Sequence, residues 1–142
     1  MSNADLLHTG TSNITIKSGT VVGNIAGDGV STNTVGIDGK VQITFEGGII
    51  KGNVWGVTEG FYNDDGTLDI FIAGGDFTDC KGINVSDGTL SKGDVTKYGT
   101  KLPATATVTI NYDELSAASA AAVNQKIAGG FNIITLGTQK TV

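Results

Sequence analysis

The chain has 142 residues, with 22 glycines, one proline and 16% charged residues, and its formal net charge is −5. This length suits one domain with its own core, and a hydrophobic content of 39% argues against a disordered chain. Apart from one histidine, every basic residue is a lysine. Paired arginine N–H recognition of phosphate or carboxylate is therefore excluded, and nucleic-acid binding is disfavoured.

The N-terminal end carries little chemistry. Residues 1–4 read Met-Ser-Asn-Ala and resemble a cloning remnant, so we expect residues 5–142 to form a single domain. His8 is the single histidine of the chain, which leaves Cys/His zinc sites short of ligands and gives a catalytic triad no other base. No apolar run approaches the roughly 18 residues needed to span a bilayer, so no membrane insertion of this segment is expected.

Two segments of the chain repeat one another. Residues 13–25 read NITIKSGTVVGNI, and residues 42–54 read QITFEGGIIKGNV. Each has a strand of alternating polar and apolar residues, a glycine, a second short strand, and then Gly-Asn followed by an aliphatic residue. A weaker third copy covers residues 69–80, and its strand alone returns at 107–110. Repeats of this length indicate a solenoid, in which each unit stacks on the next.

Glycine marks the same corner in each copy. Gly19, Gly48 and Gly75 are 29 and then 27 residues apart, and glycine lets the chain turn sharply with positive φ. Asn24 and Asn53 also occupy equivalent positions. They are predicted to stack as a ladder, because asparagine readily bonds neighbouring backbone groups.

Stacked repeats would bury a face that one repeat cannot bury alone. Alternation places Ile14 and Ile43 on the inner face and Thr15 and Thr44 on the outer one. Asp-Gly pairs between the copies are signals for tight turns. They leave an antiparallel sandwich open as an alternative to a parallel solenoid.

The C-terminal part of the chain changes character. Asn111 and Glu114 have the spacing of a capping box, which predicts a helix over residues 112–128, ended by Gly129-Gly130. A final strand is expected at residues 131–136. The helix is predicted to cap the open end of the strands. Together these elements predict an all-β fold, a short parallel β-helix of about four rungs with one C-terminal capping helix.

Residues 46–56 read EGGIIKGNVWG. They resemble the GG-T-I-x-G-N-V-Y-G-G repeats of glycine-rich β-helical surface proteins of bacteria, which look adhesin-like. Trp55 stands where that family has tyrosine, and Val57 stands where it has a second glycine. The resemblance extends over residues 12–80. It implies a right-handed parallel β-helix at the cell surface, and it brings no catalytic residues with it.

Three aromatic residues lie close together in sequence: Trp55, Phe61 and Tyr62. Aromatic faces stack on sugar rings, so these residues are the candidate ligand-binding site, for a glycan. The simpler interpretation is that one or two of them fill the core or cover a solenoid edge.

Three carboxylates lie at or near one turn: Asp64, Asp65 and Asp69. Calcium prefers such oxygen ligands, which makes these residues a candidate metal site. The EF-hand spacing is absent, however, and so is the glycine-rich nonapeptide of calcium-binding β-helices. A polar turn is the simpler interpretation.

Asp76, Asp79 and Cys80 are the remaining residues with catalytic potential. The two carboxylates are a candidate acid/base pair for glycoside hydrolysis. Three residues apart in a strand, they would point to opposite faces, and only an intervening corner would bring them into one site. Cys80 has no accompanying histidine and is expected to be a small buried hydrophobic residue.

The sequence therefore predicts a non-catalytic structural or adhesive module, extracellular or at the bacterial cell surface. A carbohydrate-binding module is the first alternative, and a polysaccharide-degrading enzyme is the second. No cofactor is expected. The predicted partners are a glycan or a cell-surface protein, with self-association through the solenoid ends as a further possibility.

Overall fold

The structure is a computed structural model, and it describes residues 6–27, 34–57, 66–86 and 105–141. Strands make up 52% of it and one α-helix accompanies them, which confirms the predicted all-β class with one helix. Every pair of neighbouring strands in the described ranges runs parallel. The alternative of an antiparallel sandwich is therefore wrong.

Ten strands, one 3-10 helix and one α-helix follow each other along the described residues. In chain order they are β1 (Leu6–Ile16), β2 (Thr20–Val21), β3 (Ile25–Ala26), β4 (Thr34–Phe45), β5 (Ile49–Ile50), β6 (Asn53–Val57), β7 (Thr67–Ile72), β8 (Gly82–Ser86), β9 (Thr105–Asn111), the 3-10 helix (Tyr112–Glu114), α1 (Ala117–Lys126) and β10 (Asn132–Leu136). The strands form three sheets. Sheet A has the order β1-β4-β7-β9-β10, sheet B has β2-β5, and sheet C has β3-β6-β8.

Sheet A supplies the largest part of the core through its alternating residues. Ile43, Ile70 and Val108 lie in register on successive strands, and all three are fully buried. Sheet B and the corner after β7 close the core from the other side. There the ring of Phe77 meets that of Phe45 edge to face, with centroids 5.0 Å apart and planes at 79°. This is a favourable aromatic geometry.

The glycine corners stack directly on one another. Gly19, Gly48 and Gly75 have φ values of 88°, 89° and 104°, which only glycine adopts without strain. The carbonyl of Gly19 accepts a hydrogen bond from the Ile49 N–H at 2.8 Å, and the carbonyl of Gly48 accepts one from the Asp76 N–H at 2.8 Å. Backbone pairing therefore continues around the corner and does not stop where the strands of sheet A end.

The helical region differs from the continuous helix predicted over residues 112–128. Asn111 caps only the short 3-10 helix, by accepting the Asp113 N–H, and Leu115 is extended with φ −115° and ψ 141°. The α-helix starts afresh after Ser116, whose hydroxyl oxygen accepts the Ser119 N–H at 3.1 Å. The chain breaks here because Leu115 enters the core, where it is almost fully buried.

The helix lies beside the end of sheet C and is followed by one more strand. Ile127, directly after the helix, forms a parallel bridge to Ile83 of β8, and the Ala128 N–H donates to the Ile83 carbonyl at 2.9 Å. The chain then returns to sheet A as β10, next to β9. The helical segment thus covers the ends of sheets B and C, through Ser119 at Phe77 and Ile127 at Ile83, whereas the outermost strand at this end of sheet A is β10.

Candidate binding surfaces

The indole of Trp55 forms the aromatic part of the outer surface of sheet C. Trp55 lies in register between Ala26 of β3 and Asn84 of β8, and its side chain is half-buried. Its neighbours Val54 and Gly56 are buried, and a Cβ at Gly56 would collide with the Leu68 side chain. Val54 and Gly56 thus point inward, and the alternation of the strand directs Trp55 outward. One amide side chain, Asn84, lies beside it.

Asn24 and Asn53 form a two-residue ladder next to this surface. The Oδ1 of Asn24 accepts the backbone N–H of Asn53 at 3.0 Å and its side-chain Nδ2 at 3.1 Å. The next position in the ladder is Gly82, where an added Cβ would lie 3.2 Å from the Asn53 Oδ1. The predicted pairing is thus present in the first two copies of the repeat and ends at the third.

Most of the other predicted site residues cannot be placed together. Phe61, Tyr62, Asp64 and Asp65 lie outside the described residues. Asp69 is half-buried on the outer face of β7, in register between Gln42 and Thr107. In the described ranges, no three His, Cys, Asp or Glu side chains cluster as metal ligands would. Of the predicted aromatic site, only Trp55 lies in the described residues, and of the predicted calcium site, only Asp69 does.

The corner at Gly75 precedes Asp76, but a turn begins between Asp76 and Asp79, where the Cys80 N–H donates to the Phe77 carbonyl at 3.0 Å. The Asp76 carboxylate, however, accepts both the Thr78 N–H at 2.9 Å and the Thr78 hydroxyl at 2.6 Å. These hydrogen bonds, helped by the charge of Lys51, lower the pKa of Asp76 below its model-compound value of 3.8. A general acid for glycoside hydrolysis needs a raised pKa, so Asp76 is unsuited to that role.

Cys80 lies in the core, and its thiol donates weakly to the Gly82 carbonyl at 3.6 Å. Burial raises the pKa of this thiol, which keeps it neutral and unreactive. His8 lies in β1, and its side chain is outside the described residues.

The C-terminal edge of sheet A, formed by β10, is one of the two ends of the stacked strands. All five residues of β10 are exposed, including Ile133 at 54%, Ile134 at 50% and Leu136 at 50%. The segment was predicted as a strand. A strand with one covered face shows strict alternation of apolar and polar residues. Residues 131–136 lack that alternation, and this is the sequence signal for the exposure of β10.

A cleft of about 270 Å³ opens near the same end of the molecule. It is lined by Asn84, Val85, Ser86, Ala106, Ala128, Gly129 and Gly130. Among the described residues, small side chains and backbone form most of its wall.

The fold and these surfaces define an all-β protein of parallel sheets with one helix and exposed outer faces. No family of known proteins, no curated protein and no solved structure matches this chain. In the part of the chain that the structure describes, no helix has the length and hydrophobicity to cross a bilayer.

Proposed function

We propose that this chain is a non-catalytic structural or adhesive module of a bacterial surface protein, built as a short right-handed parallel β-solenoid. One observation carries the proposal: the same offset relates the first two copies of the repeat in all three sheets. Asn24 and its ladder partner Asn53 are 29 residues apart. Ser12 and Val41 in sheet A, and Thr20 and Ile49 in sheet B, have that same separation.

The shared offset means that the first 29-residue unit stacks on the second as a whole. The first unit contributes β1, β2 and β3, and the second contributes β4, β5 and β6 to the same three sheets in the same order. The third unit contributes β7, the bridge residue Asp76 and β8. Connections between parallel strands of one sheet are right-handed in about 98% of cases, which gives the handedness.

The chemistry of the described residues favours a structural role over catalysis. The carboxylate of Asp76 is committed to Thr78, and the thiol of Cys80 is buried and neutral. The interior is filled mainly with aliphatic side chains, together with the paired rings of Phe45 and Phe77, and the backbone of each unit bonds to its neighbours around the corners. Such a stack is stiff along its length and presents its turns and outer faces to a partner. The surface location rests on the resemblance of residues 46–56 to adhesin-like repeats.

A structural module that is stiff along its length should hold a single distance between its two ends. Spin labels at Val22→Cys and Gln125→Cys, in a Cys80→Ala background, test this, because Val22 and Gln125 are exposed and lie in the first and last units. We expect one narrow distance distribution by pulsed electron resonance. A broad or multi-peaked distribution would contradict a spacer role.

Electrophoresis through gels that contain embedded polysaccharides tests the absence of catalysis and of glycan binding. The proposal expects neither retardation of the protein nor new reducing ends. Release of reducing ends that Asp76→Asn abolishes would overturn it in favour of a polysaccharide-degrading enzyme.

Trp55 supports a second candidate function, a carbohydrate-binding module. Its half-buried indole on the outer surface of sheet C, with Asn84 beside it, combines an aromatic face for stacking with a hydrogen-bonding group. In the same gels, this function predicts retardation that Trp55→Ala removes. Phe71→Ala is the matched control, because Phe71 is an exposed aromatic residue of sheet A, 44% accessible. Equal losses in both variants would speak against a site at Trp55.

A further inference from the structure

The outer edge of β10 is open in the described part of the structure. β10 pairs with β9 on one side, and no described strand pairs with its other side. A strand edge of this kind presents unpaired backbone N–H and C=O groups, which are a template for a further strand. Its side chains add an apolar contribution, because Ile133, Ile134 and Leu136 are all at least half exposed.

Ile133 is the side chain that a further strand next to β10 would cover. It continues the buried inner row of Ile43, Ile70 and Val108, one strand further along sheet A. The three preceding residues have a strand on each side and are fully buried. Ile133 has a strand on one side only and remains 54% exposed. An aliphatic side chain on a following parallel strand would bury it.

The chain itself contains a strand with an open edge and an aliphatic residue in the same inner row. This strand is β1, at the opposite end of sheet A. β1 pairs with β4 on one side, and no described strand pairs with its other edge. Ile14 occupies the same inner row as Ile133 and is only half-buried, and Thr15 occupies the outer row that contains Ile134. An incoming copy of β1 would therefore match β10 in direction and in the alternation of its side chains.

We propose that β10 of one molecule receives β1 of a second copy as the next parallel strand of sheet A. The register continues the existing rows, so that Asn132, Ile133 and Ile134 face Asn13, Ile14 and Thr15 of the second copy. Because the two surfaces differ, the contact is head-to-tail and does not close on itself. It generates linear chains of molecules. The contact goes beyond the proposed structural role and does not depend on it.

Charge complementarity supports this occupant. In the continued register, Lys17 of the second copy faces Leu136, next to Gly137. The carboxylate of Asp113 lies against Gly137 and accepts the Thr138 N–H at 3.1 Å. Neighbouring strands are about 4.8 Å apart, so the long side chain of Lys17 reaches this carboxylate from the next strand. Both Lys17 and Asp113 are exposed in the single molecule.

Sedimentation velocity over a concentration series measures the association of the full chain. The proposal expects a weight-average sedimentation coefficient that rises with concentration. Ile133→Lys should lower the association constant by at least about tenfold, because it places an unpaired charge in the contact. Lys17→Glu should lower it by about three- to tenfold, through repulsion from Asp113. Both positions are exposed, and circular dichroism verifies that both variants fold.

Two matched controls carry the same charge changes away from the strand edges. Phe71→Lys lies on the outer face of β7, and Lys40→Glu lies on β4. Both strands have neighbours on each side, so both controls should associate as the unsubstituted protein does. A protein that stays monomeric up to about 1 mM, or controls that weaken association as much as the edge variants, would overturn the proposal.

A mixing experiment tests the head-to-tail arrangement itself. Ile133→Lys damages one end and leaves the β1 end intact, whereas Lys17→Glu damages the β1 end and leaves β10 intact. An equal mixture therefore contains one undamaged pair of surfaces and should form more dimer than either variant alone at the same total concentration. A symmetric contact between two β10 strands would give the mixture an association between those of the two variants, and that result would overturn the proposal.

Discussion

The hydroxyl of Ser119 joins the α-helix to the corner at Phe77. Its oxygen accepts the backbone N–H of Phe77 at 3.0 Å, and its proton is donated to the carbonyl of Gly75 at 2.8 Å. Ser119 and Phe77 are both buried, and 42 residues separate them along the chain. One small polar side chain thus satisfies two backbone groups that the missing strand of sheet B would otherwise have paired.

Ser119→Ala should lower the free energy of unfolding by about 1–3 kcal/mol, because it leaves the buried Phe77 N–H without an acceptor. Chemical denaturation measures the change. Ala118→Ser, an exposed substitution in the same helix, is the control and should stay within about 0.5 kcal/mol of the parent. Equal effects at the two positions would mean that the Ser119 hydrogen bonds contribute nothing to stability.

Alanine at the corner glycines should lower the free energy of unfolding for two separable reasons: the positive φ of the backbone and the contacts of the added Cβ. Gly19→Ala forces an L-residue to a φ of 88° but meets no atom within 4 Å, so it should cost about 1–2 kcal/mol. Gly48→Ala has the same φ strain, and its Cβ would also lie 3.1 Å from the Gly19 carbonyl oxygen. It should therefore cost more, and Gly48→Val should cost more again.

Gly23→Ala is the control for the corner series, because Gly23 has neither a positive φ nor a neighbour within 4 Å of an added Cβ. It should be neutral or slightly stabilising, since alanine restricts the unfolded chain. Thermal melts of the four variants rank the costs. A Gly48 variant as stable as Gly23→Ala would refute the corner assignment.

The hydrogen bonds between Asn24 and Asn53 should be measurable as a coupling energy. Asn24→Ala removes the acceptor of two hydrogen bonds and should cost about 0.5–1.5 kcal/mol, because both groups remain accessible to water. In a double-mutant cycle with Asn53→Ala, the two substitutions should cost less together than the sum of their separate costs. Strict additivity would show that the ladder contributes no net stability.

Asp76 should make the stability depend on pH in the acid range. The Thr78 hydrogen bonds, with Lys51 nearby, hold the pKa of Asp76 below 3.8 in the folded chain. The contribution of the ionised Asp76 carboxylate to the free energy of unfolding is therefore fully present above the pKa that Asp76 has in the unfolded chain. It is lost as the pH falls through the lower pKa of the folded chain. Asp76→Asn should be less stable than the parent at neutral pH, and the difference should shrink as the pH falls below 3.8. Asp79→Asn, which removes a charge from the same turn and spares the Thr78 hydrogen bonds, should not reproduce this convergence.

Much of the strand framework could be predicted because the repeats carry their own register. Units of similar sequence pattern pair in parallel most favourably when equivalent residues align, so Gly19 and Gly48, and Asn24 and Asn53, meet across neighbouring strands. The location of Trp55 on an outer strand surface follows from the same alternation. The candidate site could not be completed in the same way, because Phe61 and Tyr62 have no place in the repeat.

The sequence by itself determined the approximate spacing of the strands and the positions of the corners, since glycine and the alternation of apolar residues act locally and recur after 29 and then 27 residues. Only the tertiary structure decided where the helix begins, because burial of Leu115 in the core outweighed the local capping signal at Asn111. The tertiary structure also decided that the Asp76 carboxylate accepts hydrogen bonds from Thr78 and that Ile133 is left exposed. A residue's role at these positions depends on which strand or side chain lies beside it, and that neighbour comes from a distant part of the chain.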